Sequence, residues 1–229
     1  MFQPDQDLRD AEIRLRQIAI RNAHNAIAMV QAMAVWDSFR KNAEIYNWNY
    51  SEKLPTFGIA AQVIKYDSIS AVIAAVGRAT DPARDQQSMS LFAFAKRLMN
   101  ERVRHRCSGR KQKPASQTRS SINPRRAVQL LIEGAQWHQE AENTIRSHRL
   151  KKLMYARVVI SEWRNHRSSH QLWVDGGLDM DMRELRRAIR LVTYYTEAAN
   201  QSVGATCDFR QNYNKAILSA NALWSKIMS

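Results

Sequence analysis

Cysteine is scarce: Cys107 and Cys207 are the only two in 229 residues. Neither lies in a CxxC pair, which excludes a cysteine-ligated metal cluster and argues against a disulfide framework. Breakers are scarce too, with seven glycines and five prolines. So few interruptions over such a length favour long helices over many short strands. No run of about 18 or more apolar residues occurs, so no membrane-spanning helix is expected. The opening MFQPDQDLRDAEIRLRQ carries early charges and no apolar stretch with a small-residue cleavage site. A secretory leader is therefore not expected, and the cytoplasm is the expected location. A Gly-rich phosphate loop, a dinucleotide fingerprint, an HExxH zinc motif and an internal repeat are all missing from the sequence.

Positive charge is what the chain has in excess. Lysine and arginine number 35 against 21 acidic residues, a net charge of +14 and a pI near 10.2. A fold does not require that excess, but it draws in polyanions by long-range attraction. RNA, DNA, an anionic lipid surface or an acidic protein are the partner classes it suits. The charge is also unevenly placed. Between Lys96 and Arg126 eleven lysines and arginines face only Glu101, and between Arg146 and Arg167 seven face only Glu162. Such runs are either solvated faces or phosphate-binding surfaces.

Apolar residues make up 45% of the chain, enough for a folded core. Their spacing is helical. Residues 8–47 read as one long helix with Ile20, Ala23, Ile27, Val30 and Ala34 along one face. Pro55 pushes Leu54 out of helical angles, so that helix ends before it. A second helix over 57–79 carries Ile59, Val63, Ile69, Val72, Ile73 and Val76, coverage wide enough to predict a buried central helix. Asp81-Pro82 stops it. Ser88 or Ser90 can cap a third helix running to about Arg102, since a serine hydroxyl accepts from the orphan amides of a first turn. Residues 108–124 are polar and basic and read as a flexible loop. A fourth helix is expected over 124–145 and a fifth over 147–164. A turn follows at Asp175-Gly176-Gly177. A sixth helix holds Met182, Leu185, Ile189, Val192 and Thr196 and ends at Gly204. A last helix spans 209–227, with Tyr213, Ile217, Ala220, Trp224 and Ile227 on one face. The expectation is thus one all-α domain over residues 1–229, a bundle of about six to seven helices.

The segment that carries chemistry is Trp163-Arg164-Asn165-His166-Arg167-Ser168-Ser169-His170. His166 and His170 lie four apart, a spacing that suits a metal on a helix, but no third ligand accompanies them. Arg164, Asn165 and His170 instead offer a cation, an amide and a group that titrates near neutrality. RNA cleaves itself when a 2′-hydroxyl attacks the adjacent phosphate. A positioned histidine can move that proton, and a guanidinium fork can hold the phosphoryl oxygens as charge builds. Along a continuous helix the two side chains would stand about 120° apart and roughly 9 Å along the axis. They converge on one phosphate only if the helix ends between them or if two copies of the chain build the site.

This Arg-Asn-x4-His pattern resembles the R-x(4–6)-H motif of HEPN-superfamily ribonucleases. Upstream, Ala74-Ala75-Val76-Gly77-Arg78-Ala79-Thr80-Asp81-Pro82 resembles a stretch of the AbiU-like abortive-infection and toxin group, and Ser88-Met89-Ser90-Leu91 resembles the cap that follows it there. The resemblance touches residues 25–200. It implies an HEPN-like helical bundle and a homodimer whose motifs face each other. It also implies metal-independent RNA cleavage with 2′,3′-cyclic phosphate ends, no cofactor, and a toxin–antitoxin or phage-defence setting with a cognate antitoxin protein. Arg164, Asn165 and His170 would then be catalytic. His166, Arg167, Arg110, Lys111 and Lys113 would contact RNA. Arg78 and Asp81 read as structural, an internal ion pair pinning the second helix to the motif helix; the alternative is that Arg78 lines the RNA groove. Family motifs usually place a small apolar residue before the histidine; here Ser169 stands there and Gln171 follows. That keeps a second reading open, a non-catalytic basic helical module that binds nucleic acid or an acidic partner.

Overall fold

The computed structural model describes residues 4–45, 55–81, 89–99, 126, 129, 132–133, 182–205 and 207–228. Among them are five helices and no strand: α1 (Pro4–Ile45), α2 (Pro55–Thr80), α3 (Leu91–Leu98), α4 (Met182–Ser202) and α5 (Phe209–Met228). The expected fourth and fifth helices fall outside this set, apart from Arg126, Gln129, Ile132 and Glu133, which are helical. Ile132 reaches the main core.

Local chemistry sets the helix ends. Pro4 and Pro55 occupy the first positions of α1 and α2, where a missing N–H costs nothing and a fixed φ suits the turn. Ser90, not Ser88, caps α3: its Oγ accepts from the Ala93 amide at 3.2 Å. The helix then runs to Leu98, short of the expected Arg102. Gly204 closes α4 at φ +75°, a conformation that a Cβ disfavours. Asp208 opens α5 by accepting from the Gln211 amide through Oδ1 at 2.8 Å.

The helix at the centre is α1, not α2. All four other helices pack against α1. Asn25 meets Ala75 while Phe39 and Ile64 share a cluster, so α1 and α2 run antiparallel. The buried stripe of α1 runs through Leu15, Ile18, Ala19, Asn22, Ala26, Met29 and Met33. Of the face expected from Ile20, Ala23, Ile27, Val30 and Ala34, the residues Ala23, Val30 and Ala34 are buried as well and Ile27 is half-buried, so α1 buries more than one stripe. Ile20 is 47% exposed, and on α2 Val63 is 51% exposed. Asn22 is buried because its Nδ2 donates to Ile18 O and Met89 O at 2.9 and 2.7 Å. Asn200 on α4 does the same toward Thr196 O and Ala19 O at 2.8 and 3.2 Å. Satisfied amides can sit where only apolar side chains are anticipated.

A second, smaller core joins α1 to α5. Phe39 lies against Trp224 edge-on at 5.8 Å, with Trp36 stacked on Phe39 at 5.9 Å. Beside it Ser38 donates to Asn221 Oδ1 at 2.6 Å. Asp37 ties three helices together: Arg186 of α4 pairs with one carboxylate oxygen, and the Tyr213 hydroxyl of α5 donates to the other at 2.7 Å.

Burial, and then the bond to Asp37, push the Tyr213 hydroxyl up to about 12, with Arg186 opposing. An unfolded tyrosine loses its proton near about 10. Above that pH the unfolded chain is deprotonated while the native hydroxyl is not, which favours unfolding. This contribution is therefore complete below pH 10 and is lost as pH rises toward about 12. Urea midpoints measured across that window should fall more steeply for the wild type than for Tyr213→Phe. Parallel declines would show that the hydroxyl carries no such linkage.

Candidate functional site

An open groove of about 1150 Å³ lies between α1, the end of α2 and the start of α3. Its wall on α1 is a polar stripe, Arg14, Gln17, Arg21 and His24, stepping by three and four residues and so stacked along one side of the helix. Arg78 and Asp81 stand across from it at the end of α2. Among the described lining residues three arginines stand with one carboxylate, Asp81. Its large apolar side chains among the described residues are Ile20 and Met89.

Arg78 is placed by a short relay. Asn25 Nδ2 donates to the Ala75 carbonyl at 2.7 Å, which turns its Oδ1 away from α2's backbone. That oxygen accepts from Arg78 Nε at 2.9 Å. A carbonyl can only accept, so the amide orientation is fixed, and with it the guanidinium. The two Nη groups of Arg78 have no partner among the described residues. They keep a fork free on an exposed side chain. Arg78 ties α2 to α1 through Asn25, and Asp81 lies beside it on the rim; the motif helix to which the expected ion pair would pin α2 lies outside the described residues.

The far wall is held by Asn22, whose bond to Met89 O draws the start of α3 onto α1. The N-terminus of α3, the positive end of its dipole, thereby opens near the groove. Arg97 on α3 is held below its ordinary value by burial first and by the charge of Arg14 second. Two guanidinium groups thus repel each other at this end of the groove.

Of the residues singled out in the sequence, Arg78 and Asp81 come together here. Arg164, Asn165, His166, Arg167, His170, Arg110, Lys111 and Lys113 lie outside the described residues, as do Trp48, Tyr50 and Cys107. Arg14, Arg21, His24 and Asn25 were missed. Their signal was present: a polar stripe at helical spacing inside a helix otherwise rich in alanine and methionine. Cys207 is held up to about 11 by burial, then by Asp208 and Glu197, so it is a thiol and not a nucleophile at neutral pH. Among the described residues no cluster of three or more His, Cys, Asp or Glu suits a metal, and no helix is long and apolar enough to cross a membrane.

Compared with protein-family models, curated proteins and solved structures, the chain matches none of them.

Proposed function

We propose that the protein is an HEPN-like, metal-independent endoribonuclease, an RNA toxin or phage-defence effector of the AbiU-like kind. The observation that carries this is the Arg164-Asn165-x4-His170 arrangement in a chain of net charge +14. The 2′-hydroxyl of a ribose attacks the adjacent phosphorus, and the bond to the 5′-oxygen breaks. His170 moves the proton, Arg164 holds the non-bridging oxygens and Asn165 orients them. Two copies of the chain bring the arginine and the histidine to one phosphate, one of the two arrangements that helical spacing leaves open. An all-helical fold among the described residues and a cationic groove are consistent with an RNA substrate.

The test is RNA cleavage with EDTA present. The expected products carry 2′,3′-cyclic phosphate and 5′-hydroxyl ends, identified by mass spectrometry. Intact RNA, or cleavage that EDTA abolishes, would sink the proposal. The second reading, a binding module without catalysis, is favoured by one observation: among the described residues the α1–α2 groove gathers three arginines. Retained RNA affinity with no cleavage would select it.

A further inference from the structure

The groove between α1 and α2 is open along its length, unlike an ordinary small-molecule site, which encloses its ligand. Its volume is about 1150 Å³, and its described lining carries Arg14, Arg21 and Arg78 beside the apolar Ile20 and Met89. From Arg14 to His24 the polar stripe spans about 15 Å of helix axis. A stacked strand places one phosphate every 3.4 Å or so, giving the stripe a reach of several phosphates.

Positive charge extends onto α3, where Arg97 lies close enough to Arg14 for their charges to act on each other, and α3 is fastened to the groove through Asn22 and Met89. A compact anion would use one end of this track; a chain of anions uses its length. The groove's cations are also arginines, planar forks that match two phosphate oxygens at once. Asp81 stands at the α2 end, where a carboxylate repels phosphate and marks the edge of the track.

We propose that the α1–α2 groove binds the phosphodiester backbone of a single nucleic-acid strand, with Arg78 as a pre-set phosphate fork and Arg14 and Arg21 as the facing contacts. This rests on nucleic acid being the ligand class of the protein, and it assigns a surface outside the Arg164–His170 segment. Arg78 loses little freedom on binding because Asn25 already holds it, so more of the attraction survives as affinity. No aromatic side chain lines the described groove, so bases are not stacked there and binding is sequence-tolerant and strongly salt-dependent.

The experiment measures affinity by fluorescence anisotropy on the non-cleaving His170→Ala protein. The probes are a short labelled oligouridylate and the matching oligodeoxythymidylate, each across a series of KCl concentrations. Arg21→Gln and Arg78→Gln are both at exposed positions. Each should weaken binding about tenfold, the loss of one charge-assisted contact. Each should also lower the slope of log K against log salt by about 0.7, one single-strand phosphate contact. Lys215→Gln, exposed on α5 away from the groove, is the control and should change neither. Arg78→Lys should keep the slope and still lose affinity, because it keeps the charge without the fork. Losses on both probes assign contacts to the phosphates common to RNA and DNA, and losses on oligouridylate alone assign them to an RNA backbone. Three results overturn the proposal: unchanged affinity in both groove variants, an equal loss in Lys215→Gln, or displacement of the oligonucleotide by a polyglutamate peptide at equal charge concentration. Failure of the wild type to cleave RNA sinks the nuclease reading and leaves this measurement intact. Cleavage by a protein whose groove variants bind normally sinks the groove alone.

Discussion

His170→Ala is expected to lower RNA cleavage in EDTA by about 10²–10⁴-fold, the contribution of a positioned general acid or base. RNA affinity should stay near that of the wild type, because a neutral imidazole adds little to phosphate attraction. Arg164→Ala should also be nearly inactive, through loss of the cation aimed at the phosphoryl oxygens. The decisive form of the experiment mixes the two inactive variants. If one protomer gives the arginine and its partner the histidine, a mixed dimer carries one intact site of two. Random assortment makes half the dimers mixed, so activity should return to about one quarter of the wild type. No recovery after mixing, with exchange verified by native mass spectrometry, would mean that both residues act within one chain. Cleavage persisting in His170→Ala would remove the histidine from the mechanism. Expression of each variant adds a cellular readout: growth arrest by the wild type should vanish in both.

Trp224→Ala is expected to destabilise the fold by about 3–5 kcal/mol, which for a chain of this size lowers Tm by roughly 6–20 °C. The indole is 1% exposed and closes the smaller core against Phe39. Its removal leaves a void that Phe39, held by Trp36 on its other side, cannot fill by a rotamer change. Leu223, next in the chain, is 52% exposed. Leu223→Ala should cost no more than about 0.5 kcal/mol. Thermal and urea unfolding of the two variants read the contrast directly. Equal destabilisation would mean that the α1–α5 contact is not a close-packed core.

The helices were legible because their punctuation is chemical: proline after α1, serine before α3, glycine after α4. The buried face of α4 was legible for a similar reason, as Leu185, Ile189 and Val192 are its apolar stripe. On α1 the same method found Ala23, Val30 and Ala34, which are buried, but also Ile20, which is exposed. There the close contacts are made by Ala19, Ala26 and a buried Asn22, and a hydropathy pattern weights Ile20 above all three. Which amide finds a carbonyl on another helix is decided by packing, and no local pattern announces it. The groove was half visible. Arg78 and Asp81 were noticed in one stretch of chain, but Asn25, the partner of Arg78, lies 53 positions before it.

The bond from Ser38 to Asn221 joins residues 183 positions apart. A ribosome adding about 5–20 residues per second needs roughly ten to forty seconds to cover that distance. For that interval the Phe39 end of α1 has no Trp224 to close over it. The smaller core therefore assembles late, and a chaperone or a second nascent chain has its longest access to that end of the first helix.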